Sequence, residues 1–229
     1  MTSPAVNAAL LFDLDGTLID SDGDHFRAFQ RVFAPLGIKL ARADYDARIL
    51  GSDNAAIGRA FLSHLGPAER EATLDAKEAS YRDHLGPSEP IAGIAAILDF
   101  AEANRRGLGG VPHAPRANVE SALAALGLAA RLTQWVVGDD VARPKPDPAA
   151  YRLALERLGA EPGRSLAFED SRSGVAAARD AGLTVVGLTT TLDAATLLET
   201  GATLAVADFT DRRIVPLIER RVALPRRRA

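Results

Sequence analysis

The sequence predicts an α/β fold, a doubly wound parallel sheet with a helical segment inserted after the first strand. Three observations predict it. Short, continuous apolar runs alternate with helical patterns through the second half of the chain, as strands do when both their faces lie under helices. Residues 21–87 carry helical periodicity and no strand pattern. Acidic pairs close three of the apolar runs, Asp13/Asp15, Asp139/Asp140 and Glu169/Asp170, and ligands of such sheets bind at the carboxyl ends of the strands.

Residues 8–12 read as a buried strand that turns into a polar loop at Asp13. From 22 to 85, Phe26, Phe29, Val32 and Phe33 recur at helical spacing, as do Ile57, Ala60, Phe61 and Leu65,. Gly51 and Gly66-Pro67 are breaks between these helices, and Gly86-Pro87 closes the segment. The expected organisation is a core of 1–20 with 88–229 around an inserted domain of 21–87. Beyond it the spacing predicts a helix over 91–104, a weak strand over 108–111 and a helix over 118–126 stopped by Gly127. There follow a strand over 134–137, a helix over 148–158, a strand over 165–168 and a helix over 173–181 closed by Gly182. A strand over 184–188 and one more candidate at 204–207 end the pattern.

Of the 229 residues, 47% are apolar, enough for a substantial core,. The net charge of −3 argues against a nucleic-acid binder,, and the arginine run 226–228 reads as a solvated tail. Cysteine is absent, which excludes disulfides, thiolate zinc sites and cysteine nucleophiles,. No apolar stretch approaches the ~20 residues that span a bilayer, and the first residues lack a signal-peptide pattern. A cytoplasmic protein with no membrane partner is the expectation.

Asp13 and Asp15 sit two apart at a strand end, so an extended chain would aim both carboxylates the same way. Such a pair needs a cation or a shared proton, and Gly16 permits a sharp turn beside a ligand. An Asx-type turn explains the same residues equally well. Glu169/Asp170 place a second acidic pair where a parallel sheet would bring it beside the first, a set of hard oxygens that suits Mg²⁺. Ser171 is a candidate helix cap, compatible with metal binding by Asp170. Lys145, flanked by prolines in Arg-Pro-Lys-Pro-Asp-Pro, would balance the carboxylates and hold a phosphate.

Asp13-Leu14-Asp15-Gly16-Thr17, Lys145-Pro146-x-Pro148 and Glu169-Asp170-Ser171 resemble the first, third and fourth motifs of the haloacid dehalogenase superfamily, over about residues 8–210. The branch of β-phosphoglucomutase and phosphoglycolate phosphatase is the most similar. The resemblance implies a Rossmann-like core with a helical cap, and an Mg²⁺-dependent phosphatase acting on a small phosphorylated sugar or acid. Asp13 would be the nucleophile and Asp15 the acid and base. Asp13, the carbonyl of Asp15 and Asp170 would hold the metal, with Glu169 supporting them, and Lys145 would stabilise the transferring phosphoryl group. Gly16 and Thr17 would offer backbone N–H groups to the phosphate. In the cap, His25, Arg48, Gly51 and Asn54 fall where the resemblance puts substrate contacts. A sugar phosphomutase with the same core is the alternative.

One motif departs from the pattern. Where the resembling proteins carry a Thr or Ser at the end of the second strand, this chain has Pro112, after a glycine-rich run and before His113-Ala114-Pro115-Arg116. Three readings stand: His113 substitutes as a phosphate donor, the site has lost activity, or the written sequence differs from the natural one at this segment.

Overall fold

The computed structural model describes residues 8–52 and 54–222; the arginines at 226–228 lie outside them. The chain divides into two compact units, one of residues 1–20 with 89–229 and one of residues 21–88.

The unit 21–88 is helical: α1 (Asp22–Phe33), α2 (Arg42–Arg48), α3 (Asn54–Phe61) and α4 (Pro67–His84). Its core gathers Phe29, Phe33, Tyr45, Ile49, Ile57, Leu62 and Leu74, the apolar stripes of amphipathic helices turned inward. The loop between α3 and α4 is fastened by Arg70, which donates to the carbonyls of Leu62, Ser63 and Leu65, each at 3.0 Å. That satisfies helix-end carbonyls left without intrahelical partners.

The other unit carries the sheet. Its strands are β1 (Ala9–Phe12), β2 (Gly107–Gly110), β3 (Leu166–Glu169), β4 (Thr184–Leu188) and β5 (Leu204–Val206). All pair in parallel, in the order β2-β1-β3-β4-β5. Its helices are α5 (Ile94–Ala103), α6 (Arg116–Ala125), α7 (Ala149–Leu158), α8 (Arg172–Asp180), α9 (Ala194–Thr200) and α10 (Ile214–Val222). Every residue of β1 is fully buried. Ala9 and Leu11 join a core with Tyr151, Leu155, Val175 and Leu197. Phe12 stacks on Phe168 at 5.0 Å between ring centroids, with Phe209 closing over Phe168 at 5.2 Å. Both faces are covered, which is why the strands read as unbroken apolar runs.

Beyond β1 the chain leaves the extended state at once. The N–H groups of Thr17, Leu18 and Ile19 all donate to the Leu14 carbonyl, and Gly16, at φ +70°, donates to Ile19. Ile19 then bridges to Pro90, and Ile91 N–H donates to the Leu18 carbonyl at 2.9 Å. The segments flanking residues 21–88 are thereby tied to each other on the sheet unit.

The expected strand over 134–137 does not form. Trp135 makes one parallel bridge to Gly110 and goes no further, because the chain coils into a 3-10 turn over Gly138–Asp140 whose start is held by Asp140 accepting from the Val137 N–H. The same contact explains the glycines of β2. A Cβ on Gly110 would stand 1.9 Å from the Trp135 ring, and one on Gly109 would stand 3.0 Å from the Gln134 carbonyl. β2 is glycine-rich because a neighbouring indole and backbone occupy the space of its side chains. Two helices went unread in the sequence: α9, which opens on Asp193 accepting from Thr196 N–H at 2.7 Å, and α10.

Gly110→Ala is expected to destabilise the protein by about 1–3 kcal/mol through overpacking. Gly163→Ala, whose added methyl meets nothing within 4 Å, should change stability by less than about 1 kcal/mol. Urea unfolding of the two variants measures this; equal stabilities would remove the indole contact as the reason for the glycine.

Candidate active site

The strand order reverses around β1, with β2 on one side and β3 on the other, so the carboxyl ends of β1 and β3 meet at the switch point where such sheets bind ligands,. Asp13 follows β1 directly and its N–H donates to the Phe168 carbonyl of β3. Glu169 is the last residue of β3 and Asp170 the next. Each of the three offers a carboxylate oxygen within 4.8 Å of the others, and all are buried. The carboxylate of Asp15 is not one of this group; Asp15 stands where the chain turns onto the Leu14 carbonyl.

Lys145, on the loop before α7 and joined to Pro146 by a cis peptide bond, places its ammonium among them. Nζ donates to Asp13 Oδ1 at 2.8 Å and to Glu169 Oε1 at 2.5 Å. Burial disfavours its charge, but Asp13 and Glu169 outweigh that and hold Lys145 above the ordinary lysine value. Glu169 Oε1 also accepts from the Tyr151 hydroxyl at 2.5 Å. Burial, reinforced by the Glu169 and Asp13 charges, raises the phenol far above its usual range and keeps it a donor. Burial pushes the Glu169 carboxyl up to about 7, against the pull of Lys145 and with the push of Asp13. Burial and the charges of Asp13 and Glu169 raise Asp170 well above the ordinary aspartate value.

Two glycines make room for these carboxylates. A Cβ on Gly16 would stand 2.1 Å from Asp170 Oδ2, and one on Gly174 would stand 1.9 Å from Glu169 Oε2. Ser171 caps α8, its Oγ accepting from Gly174 N–H at 3.1 Å. After β4, the hydroxyl of Thr191 donates to Asp170 Oδ2 and that of Thr190 to the Gly16 carbonyl.

The N–H groups of Gly16 and Thr17, expected to face a phosphate, are taken by the Ile19 and Leu14 carbonyls, since the tight turn uses its own donors. His113 is exposed on the loop after β2, and Pro112 is buried. Asp140, read as part of an acidic strand end, instead accepts from Arg116 and Arg157, each at 3.1 Å. Arg157, the Val137 N–H and Arg116 hold it below the usual carboxylate range, against the effect of partial burial. In the helical unit, His25 stacks on Tyr81 at 4.1 Å and its Nδ1 meets Lys77 Nζ at 3.0 Å. Arg48 lies 4.4 Å over the Phe61 ring and donates to the Ala60 carbonyl. Gly51 has φ +73° and Asn54 opens α3.

Sequence reasoning missed Tyr151, Thr190 and Thr191. Tyr151 lies on the apolar face of a helix and reads as core, yet a buried tyrosine hydroxyl requires a partner. The run Thr189-Thr190-Thr191 follows a parallel strand at its ligand-binding end and carried the same kind of signal. Among the described residues, no helix is long and apolar enough to cross a membrane.

The chain is similar to known proteins along most of its length. The chain is 35% identical over 208 residues to validoxylamine A 7'-phosphate phosphatase of Streptomyces hygroscopicus subsp. limoneus, covering 89% of this chain and 94% of that protein. It is 37% identical over 190 residues to CbbY of Rhodobacter capsulatus, covering 78% and 83%. The crystal structure of CbbY from Rhodobacter sphaeroides in complex with phosphate superposes with a TM-score of 0.79 at 29% identity, over 90% of this chain and 96% of that one. The family model for haloacid dehalogenase-like hydrolases matches residues 10–188, and the chain belongs to that family.

Proposed function

We propose that this hydrolase is an Mg²⁺-dependent phosphatase of small phosphomonoesters, sugar phosphates or phosphorylated acids, working through an aspartyl-phosphate on Asp13. One observation carries the reading. Three buried carboxylates face a single ammonium at the carboxyl ends of β1 and β3, so with all of them ionised two negative charges stay uncompensated. A divalent cation with a preference for hard oxygen supplies that charge, and burial, with the neighbouring carboxylate charges added, raises the proton affinities of Asp170 and Glu169. Asp13 and Asp170 would hold Mg²⁺, together with the backbone carbonyl of Asp15. Glu169 Oε1 is already committed to Lys145 and Tyr151, which leaves it a supporting part. The bound ion would polarise a phosphate oxygen and complete the charge balance. The names of the relatives, phosphatases of validoxylamine A 7'-phosphate, phosphoglycolate and fructose-1-phosphate among them, support the substrate class.

In the proposed reaction a carboxylate oxygen of Asp13 attacks phosphorus as the bond to the substrate oxygen breaks. Asp15 gives its proton to the departing alkoxide. Water then attacks the aspartyl-phosphate, Asp15 takes its proton, and the Asp13–phosphorus link breaks to release orthophosphate. Lys145 neutralises charge on the transferring group. The helical unit 21–88 is proposed as the specificity cap, with His25, Arg48, Gly51 and Asn54 as its recognition candidates. Pro112 gives the phosphoryl group no hydroxyl, which leaves the site about 1.5–3 kcal/mol short of one charged hydrogen bond.

Phosphate release from a panel of small phosphate esters is expected to require Mg²⁺ and to fall on the order of a thousandfold or more in Asp13→Asn. Turnover that survives in that variant would remove Asp13 as nucleophile. Pro112→Thr is expected to raise kcat about tenfold or more; a decrease would show that position 112 does not occupy the place of the missing hydroxyl. A third expectation concerns pH. Glu169 lies at about 7 in the fold against an ordinary 4.5, so the folded state binds its proton more tightly than the unfolded state. Its contribution to stability is fully present below 4.5 and is lost as pH rises through about 7, and Asp170 shifts in the same direction. The melting temperature of metal-free protein should fall between about pH 5 and pH 7.5, and Mg²⁺ should flatten the decline. A metal-free melting temperature that climbs across this window would contradict the assignment.

A further inference from the structure

We propose that Tyr151 is a positioning residue for the reaction, setting the Lys145 ammonium against Asp13 by fixing the Glu169 carboxylate. The inference rests on the proposed reading of Asp13 as nucleophile and Lys145 as its charge partner.

The geometry gives Tyr151 two contacts with one purpose. Its hydroxyl donates to Glu169 Oε1, the same oxygen that accepts from Lys145. Its ring lies under that ammonium, with Nζ 5.4 Å from the centroid, a favourable placement for a cation. Lys145 has two anionic acceptors, Asp13 and Glu169, and its position between them depends on where Oε1 stands. A glutamate carboxylate turns about a broad terminal torsion, so something must set that angle. On the Oε2 side, Ser171 Oγ is 3.4 Å away, too long to hold it firmly. Gly174 only provides space. Among the described residues, the short hydroxyl contact from Tyr151 is the directional restraint on Oε1 besides Lys145 itself, and it comes from α7, an element separate from the strand that carries Glu169. With the hydroxyl removed, Oε1 turns toward the ammonium as its single partner and draws Nζ away from Asp13.

Tyr151→Phe keeps the ring and deletes the donor. On a phosphomonoester that the wild-type enzyme turns over, kcat should fall about tenfold to a hundredfold, as for loss of one hydrogen bond to a charged group. KM should stay within about twofold, because Tyr151 does not touch substrate. If Tyr151 acts through Glu169, the same substitution in a Glu169→Gln background should cost little further. An unchanged kcat, a change confined to KM, or fully additive losses would each overturn the inference. A crystal structure of Tyr151→Phe decides it without turnover: Lys145 Nζ should leave hydrogen-bonding distance of Asp13, and an unmoved Lys145 between Asp13 and Glu169 would refute the positioning role. If the wild-type protein releases no phosphate, the functional proposal fails, while this structural comparison still tells whether Tyr151 positions Lys145.

Discussion

The contact between the Lys145 ammonium and the carboxylates of Asp13 and Glu169 is the constraint around which the sheet unit is arranged. A buried charge without partners is among the costliest features a fold can contain. Lys145 avoids that cost only because strands far apart in sequence deliver two anions to the same point. Parallel pairing of β1 with β3 performs the delivery, since register aligns Phe12 with Phe168 and so brings the residues that follow each strand together. The stacked phenylalanines and the site beyond them are consequences of one alignment.

The same crowding accounts for several small residues that otherwise look incidental. Gly16 and Gly174 leave volume for carboxylate oxygens, and Thr190 and Thr191 tie the loop after β4 to Gly16 and Asp170. The site is held by hydrogen bonds from Lys145, Tyr151, Thr190 and Thr191, with three carboxylates gathered at one point. Electrostatic crowding of this kind gathers at functional sites, and binding of a cation relieves it.

Much of this was legible in the sequence. The α/β class followed from unbroken apolar runs; Asp13, Glu169 and Asp170 stood out because they close those runs, and Lys145 because two prolines flank a cation that the acidic pairs call for. Contacts that depend on shape were not legible. A strand over 134–137 was expected from apolar residues alone, and nothing in a linear pattern says that the Trp135 ring fills the space above Gly110. Asp140 carried the same outward signal as Asp170, but two arginines from α6 and α7 claim it, and partners from separate helices leave no trace at a fixed spacing. The chain does not stay extended past Asp13, because one carbonyl, that of Leu14, gathers three N–H groups. Tyr151 was invisible for a different reason: its ring reads as core, and its contacts with Glu169 and Lys145 arise only in the fold.

The tie between Ile19 and Pro90, with Ile91 bonded to Leu18, bears on how such a chain can grow. Closing a loop costs entropy that rises only logarithmically with its length. Here the two ends of the excursion are pinned side by side by the backbone of the sheet unit itself. To the sheet, residues 21–88 are a loop whose closure is already secured, so extra helices at this point add little to the entropic burden of the host. A segment in that position is free to change in length and composition while the strands of the sheet unit keep their register.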